Sequence, residues 1–323
     1  MSVTLAGLLI WSEFLSPSQI QPELHDLAQR GAALAVAVTP ATLHDGSYFE
    51  IAAEAREQGV ELRPWLLLAP EQGYWAHQSN TAEICAWVRE FLQASARRGL
   101  GPDWITLGFE PSAQFMASLQ SDFAAHHWFK ALGRLRSAKN DAGYASAQAA
   151  LSDLLGELHS RGIRAHAVTT PLVLHGSAKR DRVARALGLP LVDLPWDEIS
   201  YMAYRPEFKK VLGAQLGPDL AYLYGQRARE RDGDRAGLDL GEVGTITFPA
   251  LTQGFGDPRE LAADWAAAKA AGIDHIHLYA LDGMLQSGGA WTDWLSEPEA
   301  RKPRRELGTR AAFHALDLLA GLL

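Results

Sequence analysis

The stretch that decides the fold is RGLGPDWITLGFEP, residues 98–111. It holds, in order, a glycine that ends an Ala/Leu-rich helical stretch, a short apolar run at 104–109, and the acidic residue Glu110 before a proline. Glycine adopts the left-handed backbone conformation at the lowest cost, so Gly99 is interpreted as a helix C-cap that leads into a strand. The unit predicted here is therefore a helix, a glycine, a strand and a polar loop.

The same unit recurs along almost the whole chain. Glycine-to-strand junctions precede apolar runs at 32–38, 62–68, 104–109 and 163–168, a sixth strand, and 273–280. The sixth of these strands is the run at 198–204, and runs at 4–11 and 243–249 bring the predicted strands to eight. Strands that alternate with helices form a parallel sheet, and eight such units that end in a helix form a closed barrel. The sequence thus predicts an α/β fold, a single (β/α)8 TIM barrel domain over residues 1–323, with extended loops after strands four (111–150) and eight (283–303).

Composition and motifs exclude several classes of protein. The net charge of -8 argues against a nucleic-acid-binding or anionic membrane surface. No GxGxxG or GxxxxGK[ST] loop is present, so no nucleotide cofactor is expected. The single cysteine, Cys85, cannot form a disulfide within the chain. No secretion signal or membrane span is recognisable, and we expect a cytoplasmic protein.

The candidate functional residues follow the predicted strands. In such barrels the active site is built from the loops at the carboxyl ends of the strands. Carboxylates, tyrosines, tryptophans and an arginine are concentrated there, which predicts a polar cavity with aromatic walls: Trp11, Glu13, Tyr74, Trp75, Glu110, Tyr204, Arg205, Gln253, Tyr279, Asp282 and Trp291.

Glu110 is the leading catalytic candidate. Side chains alternate along a strand, so Gly108 and Thr106 lie on the same face as Glu110. Both are small enough to face a crowded barrel interior. This alternation predicts that the Glu110 carboxyl lies in the barrel mouth, where partial burial would raise its pKa and suit it to general acid catalysis. The structural alternative is a carboxylate paired with an arginine such as Arg205.

Asp282 and Glu13 are the candidates for a second carboxylate. Asp282 ends strand eight, and strand one is the neighbour of strand eight in a closed barrel, so Glu13 is expected to share its site. Two carboxylates across a mouth suit glycoside cleavage. The competing interpretation for both is a hydrogen bond that holds a loop.

The remaining candidates would bind substrate. Tyr204 could orient the substrate, and Arg205 could bind an anionic group or hold Glu110 ionised. The loop aromatics could stack on a sugar, although each could equally pack a loop. His166, His275 and His277 come too early in their strands to form a mouth site, so no metal is predicted.

At strands four, six and eight the chain resembles the (β/α)8-barrel glycoside hydrolases, most nearly the chitinase-like group. The matching features are Glu110, the string Met202-Ala203-Tyr204, and loosely Trp291. The resemblance implies a catalytic glutamate at Glu110. The aspartates that this group carries two, four and six residues before the glutamate are replaced by Gly108, Thr106 and Trp104.

Another common catalytic arrangement in barrel glycosidases needs a carboxylate at the end of strand seven. The end predicted for that strand, Thr252-Gln253, offers none. The sequence therefore predicts a barrel enzyme acting on a small-molecule or oligosaccharide substrate, with Glu110 as general acid/base and Asp282 or Glu13 as its partner. The alternatives are a non-catalytic sugar-binding barrel and a barrel isomerase or lyase.

Overall fold

The computed structural model describes residues 7–124, 127–176, 181–212, 216–246 and 252–323. Eight parallel strands form a closed barrel, in the order β1-β8-β7-β6-β5-β4-β3-β2 around the ring. The strands are β1 Leu8–Ser12, β2 Ala33–Val38, β3 Leu62–Leu66, β4 Trp104–Phe109, β5 Arg164–Thr169, β6 Glu198–Met202, β7 Ala236–Gly241 and β8 His275–Tyr279. The predicted (β/α)8 barrel is therefore confirmed.

Helices connect the strands and surround the barrel. The α-helices are α1 Pro17–Ile20, α2 Leu24–Arg30, α3 Pro40–His44, α4 Ser47–Gln58, α5 Thr81–Arg97, α6 Ala113–Ala124, α7 Trp128–Ala138, α8 Asp141–Ser160, α9 Arg182–Leu187, α10 Arg205–Leu212, α11 Asp219–Asp232, α12 Pro258–Ala270, α13 Leu281–Gln286 and α14 Leu307–Gly321. Three of them, α6 to α8, fill the long segment after β4. Within the described ranges, no helix is both long and apolar enough to cross a membrane.

Glycines end several helices as the sequence predicts. Gly31, Gly59 and Gly188 each take a positive φ directly after a helix, where a residue with a side chain would be strained. The backbone N–H of Gly59 reaches back to the carbonyls of Ala55 and Arg56 and closes the last turn of α4. These caps turn the chain back into the next strand.

The barrel interior is packed by large side chains opposite small ones. Ala33, Ala35 and Ala37 of β2 face inward, and Trp11 of β1 and Trp65 of β3 occupy the space that they leave. The two indole rings meet edge to face, with ring centroids 5.1 Å apart. Close packing of this kind makes the interior of the barrel a core rather than a pore.

The seventh strand lies at a different place from the one predicted. The sequence analysis placed it at 243–249, whereas β7 is Ala236–Gly241 and pairs with β6 and β8 along its length. Of the predicted segment, 247–249 lies outside the described residues, and Thr245–Ile246 pairs in antiparallel fashion with Thr252–Gln253. The error arose because β7 contains the buried Asp239, a residue that an apolar pattern does not include.

Candidate active site at the barrel mouth

The alternation of inward-facing and outward-facing side chains that the sequence predicts for β4 is confirmed. Thr106 is fully buried inside the barrel, with its hydroxyl 3.5 Å from His166 Nδ1. A Cβ atom added to Gly108 would lie 3.0 Å from Nε1 of Trp65 and 3.3 Å from Cδ1 of Trp75. Both residues therefore face inward, and the next position on that side of the chain is Glu110.

The environment of Glu110 favours its protonated form. Burial raises the pKa of Glu110 to about 8, and the negative charges of Glu207 and Glu13 contribute in the same direction. Among the described residues, no hydrogen-bond donor contacts this carboxyl. A carboxyl that keeps its proton near neutral pH at a strand end can act as a general acid.

A second glutamate follows β7, where the sequence analysis expected no carboxylate. Glu242 comes directly after Gly241, so the corrected end of this strand does carry an acid. Burial raises the pKa of Glu242 to about 7, the charge of Glu207 adds to this, and Lys210 partly offsets it. Its Oε2 atom is buried and has no hydrogen-bond partner in the part of the chain that the structure describes. Sequence reasoning missed Glu242 because it misplaced the strand.

A third glutamate, Glu207, lies in the first turn of α10, directly after β6. Burial raises its pKa, and only Lys210, one helical turn further on, opposes this shift. The negative charge of Glu207 raises the pKa of both Glu110 and Glu242, so Glu207 lies near both carboxyls. No motif in the sequence singled out this residue.

Glu13, on the other side of the mouth, is held by two tyrosines. The hydroxyl of Tyr74 donates a hydrogen bond to Glu13 Oε1 at 2.9 Å, and the hydroxyl of Tyr279 donates one to Oε2. Burial raises the pKa of Glu13 to about 7, while these two hydrogen bonds lower it in part. The predicted residues Glu13, Tyr74 and Tyr279 therefore lie together, and the charges of Glu13 and Glu110 both act on Tyr74.

Asp282 lies beneath the loop that carries Glu13. Its two carboxylate oxygens accept hydrogen bonds from the backbone N–H groups of Glu13, at 3.2 Å, and Phe14, at 2.7 Å. Asp282 is 5% exposed, so little of it is open to a substrate. This geometry matches the loop-holding role that was the competing interpretation for Asp282.

Two more predicted residues, Tyr204 and Trp75, each pack against an aromatic neighbour. Tyr204 stacks on Tyr279, with ring centroids 5.4 Å apart and ring planes at 25°. Burial raises the pKa of Tyr204 well above its ordinary value, and the charges of Asp239, Glu110 and Glu242 add to this. Trp75 contacts Tyr74 edge to face at 5.1 Å and packs partly buried against the barrel interior.

Three predicted substrate-binding residues are placed elsewhere. Arg205 begins α10 and points outward, where Nε binds both oxygens of Asp264 at 3.0 Å, so it does not hold Glu110 ionised. Trp291 is 6% exposed, and its indole N–H donates to Glu23 at 2.5 Å, which packs a loop. The side chain of Gln253 lies outside the described part of the chain.

Trp11 lies deeper than predicted, at the top of a buried chain of charged groups. Its indole N–H donates to Asp239 at 2.9 Å, and His277 bridges Asp239 at 3.0 Å to Glu198 at 2.6 Å. The Glu198 carboxylate also accepts a hydrogen bond from Arg63 at 2.9 Å. Burial disfavours a charge on His277, but the two carboxylates beside it raise its pKa to about 9.

These interior groups were considered as a metal site. His166, Glu198 and His277 each offer an atom, and these atoms lie within 4.8 Å of one another. His277 Nε2 lies 2.6 Å from Glu198 Oε1, and His277 Nδ1 lies 3.0 Å from Asp239 Oδ1, so this imidazole stands between two carboxylates. Arg63 adds a positive charge beside Glu198. We interpret the cluster as a charge-balanced network that fills the barrel interior.

No protein-family model and no curated protein matches this chain. Among solved structures, it is similar to the PgaB (BpsB) glycoside hydrolase domain from Bordetella bronchiseptica, at 12% identity and a TM-score of 0.54 over 88% of this chain and 96% of that one. It is also similar to a GH18 chitinase from Pseudoalteromonas aurantia, at 10% identity and a TM-score of 0.55 over 90% and 99% of the two chains. A D-allulose 3-epimerase from Methylomonas sp. matches at a TM-score of 0.44 and 13% identity over 100% and 97%.

The similarities to the PgaB domain and to the chitinase agree with the fold seen in the strand order. The chain has the (β/α)8 barrel fold that glycoside hydrolases use. At such identities a shared barrel does not define the reaction, since one barrel hosts many chemistries. The function has to be argued from the mouth itself.

Proposed function

We propose that this chain is a glycoside hydrolase-like barrel enzyme that acts on a sugar or an oligosaccharide. One observation carries the proposal: Glu110 follows β4 and has no hydrogen-bond partner among the described residues, its pKa is raised by burial to about 8, and further carboxyls lie near it. A protonated acid and a second carboxylate are the two groups that glycoside cleavage requires. The stacked rings of Tyr204 and Tyr279, together with the partly buried Trp75, suit the flat faces of sugar rings.

In this proposal Glu110 donates its proton to the oxygen of the leaving group. Glu242 is the second carboxylate, because it ends β7 and one of its oxygens has no partner. It acts on the anomeric carbon as a nucleophile, and Glu110 then deprotonates the water that releases the sugar. Glu13, held by two tyrosine hydroxyls, positions the substrate, and Asp282 holds the loop of Glu13 in place.

The test compares leaving groups. A panel of 4-nitrophenyl and 2,4-dinitrophenyl glycosides is offered to the wild type and to Glu110→Gln. A general acid matters most when the leaving group is basic, so we expect kcat/KM for methyl glycosides, assayed beside this panel, to fall by about 10² to 10⁴. The kcat/KM for dinitrophenyl glycosides, which leave without a proton, should change little, whereas their kcat should fall because Glu110 also activates the water of the second step. Equal losses of kcat/KM on both substrates, or no hydrolysis by the wild type, would overturn the proposal.

The second carboxylate is tested by chemical rescue. Glu242→Ala and Glu13→Ala are assayed with and without sodium azide, a small anion that replaces a missing nucleophile. We expect azide to restore turnover only in Glu242→Ala, with a glycosyl azide of the opposite anomeric configuration to the substrate as product. Rescue of Glu13→Ala instead would assign the nucleophile to Glu13.

A further inference from the structure

A cavity of about 150 Å³ lies at the end of the barrel opposite to the mouth. It is bounded by the first residues of β6, the end of α11 and the loop before β6, and the residues that line it are Leu191, Val192, Asp193, Leu194, Ile199, Arg231, Asp232 and Arg235. Ile199 is the second residue of β6, whereas Glu110 follows the last residue of β4. Because the strands are parallel, this cavity and the candidate active site lie at opposite ends of the barrel.

Two arginines bring positive charge to the cavity. Nη1 of Arg231 donates a hydrogen bond to the backbone carbonyl of Val173 at 2.9 Å. Nη1 of Arg235 donates one to the backbone carbonyl of Trp196 at 2.8 Å. Over the described ranges, Arg231 forms no ion pair with a carboxylate. A guanidinium group has five N–H donors, so Arg231 keeps donors for a ligand.

Two aspartates bring negative charge to the same cavity. The side chain of Asp232 is 7% exposed, and its Oδ2 atom accepts a hydrogen bond from the hydroxyl of Tyr201. Its Oδ1 atom lies 3.8 Å from Nη2 of Arg235, which is longer than a hydrogen bond. Asp193 is exposed, and no hydrogen bond or ion pair joins its side chain to another described residue. The cavity is therefore lined by charges of both signs that are not fully paired with one another.

The charges of the lining define the chemistry of a ligand. A simple anion would meet the two carboxylates and a simple cation would meet the two guanidinium groups, so each would be repelled by part of the lining. A zwitterion can place its carboxylate on Arg231 and its ammonium group on Asp232. Leu194 and Ile199 add apolar contacts for a short side chain. The volume is about that of five water molecules at ~30 Å³ each, which limits the ligand to a small molecule.

We propose that this cavity binds a small free α-amino acid of the size of alanine or serine. The carboxylate of the ligand accepts hydrogen bonds from the Arg231 guanidinium, and its ammonium group donates to Oδ1 of Asp232. The Asp193 carboxylate adds to the attraction for the ammonium group. The site shares no residue with the mouth, so the inference does not depend on the proposed function.

Three probes of nearly equal size test the charge pattern. They are L-alanine, L-lactate, in which a hydroxyl replaces the ammonium group, and L-alaninamide, in which a neutral amide replaces the carboxylate. Each is titrated calorimetrically into the full chain at about pH 6.5, where the amino group of alaninamide is protonated. We expect alanine to bind about tenfold more tightly than either derivative, because each derivative lacks one charge-assisted contact. Binding of lactate or alaninamide with the affinity of alanine, or no binding of alanine, would overturn the inference.

Variants locate the site. Arg231→Gln should weaken alanine binding about tenfold and leave alaninamide binding unchanged, whereas Asp232→Asn should weaken alanine binding and leave lactate binding unchanged. The asparagine oxygen can still accept the hydrogen bond from Tyr201, and circular dichroism checks that both variants are folded. Arg304→Gln, an exposed arginine outside the lining, and Glu110→Gln at the mouth should bind alanine like the wild type. Full alanine affinity in folded Arg231→Gln, or its loss in Glu110→Gln, would refute the inference. If a variant does not fold, the comparison of probes on the wild type decides alone.

Discussion

Replacing Glu110 with glutamine should make the protein more stable at high pH. The folded chain raises the pKa of this carboxyl from its ordinary 4.5 to about 8, chiefly by burying it. Between these two values the unfolded chain has released the proton while the folded chain still holds it, so rising pH favours unfolding. Glutamine resembles the protonated acid and cannot ionise, so the variant escapes this loss.

The size of the effect follows from the same shift. Each pKa unit corresponds to about 1.4 kcal/mol, so above pH 8 the wild type should lose about 5 kcal/mol that the variant keeps. Solvent at the mouth reduces this figure, and we expect a measured gain of about 2 to 3 kcal/mol. At pH 5 the folded state keeps the proton, and the pH is only about half a unit above the ordinary pKa of 4.5 in the unfolded state, so the difference should be under about 1 kcal/mol.

Urea unfolding at pH 5 and pH 9, followed by tryptophan fluorescence and circular dichroism, measures this difference. Glu299→Gln, an exposed substitution of the same kind, is the control and should match the wild type at both values. Equal stability of Glu110→Gln and the wild type at pH 9 would refute the reasoning, and so would a gain of equal size at pH 5. Loss of turnover together with this gain would show that the acid is kept for activity at the expense of stability.

Three further predictions concern the interior and the pH profile. Arg63→Met leaves the buried Glu198 charge without its guanidinium partner and should lower the free energy of unfolding by about 3 to 5 kcal/mol in denaturant titrations; a loss below about 1 kcal/mol would contradict the network described above. Gly108→Ala places a methyl group 3.0 Å from Trp65 Nε1 and should cost about 1 to 3 kcal/mol, with a shift in tryptophan emission that an unstrained site would not show. In stopped assays of kcat/KM, the proposed pair needs one carboxyl ionised and one protonated, so activity should fall below pH about 7 and above pH about 8; a flat profile would argue against the pair.

The fold was largely predictable because helix caps and strands repeat along the chain. Glycines such as Gly59 and Gly188 marked the helix ends, and the closed barrel followed from the count of units. The position of strand seven was predicted wrongly, because the apolar run at 243–249 resembles a strand more than Ala236–Gly241 does. The latter segment contains two glycines and Asp239. The charge of Asp239 is stabilised by His277 and Trp11 from other strands, a long-range contact that no local pattern reveals.

The site was predictable only where the alternation of side chains along a strand could be used. This alternation placed Glu110 correctly relative to the inward-facing Gly108, and the neighbourhood of strands one and eight brought Glu13 and Asp282 together. Arg205 was misplaced because β6 ends at Met202, so that Arg205 begins a helix and turns outward. Side chains alternate in direction along a strand, but this alternation does not continue into the helix that follows it.

The buried charge chain also bears on how the barrel assembles. Arg63 comes from β3, Glu198 from β6, Asp239 from β7 and His277 from β8, so each charge meets its partners only when distant segments of the chain have closed on one another. A half-barrel fragment ending after β4 would carry Arg63 without Glu198, and one beginning at β5 would carry Glu198 without Arg63. In the first fragment Arg63 would keep only its partly exposed partner Glu61, and the second fragment would bury two acids, Glu198 and Asp239, with His277 between them. Incomplete or wrongly paired sheets would therefore bury charges without their partners. This cost favours cooperative closure of the whole barrel.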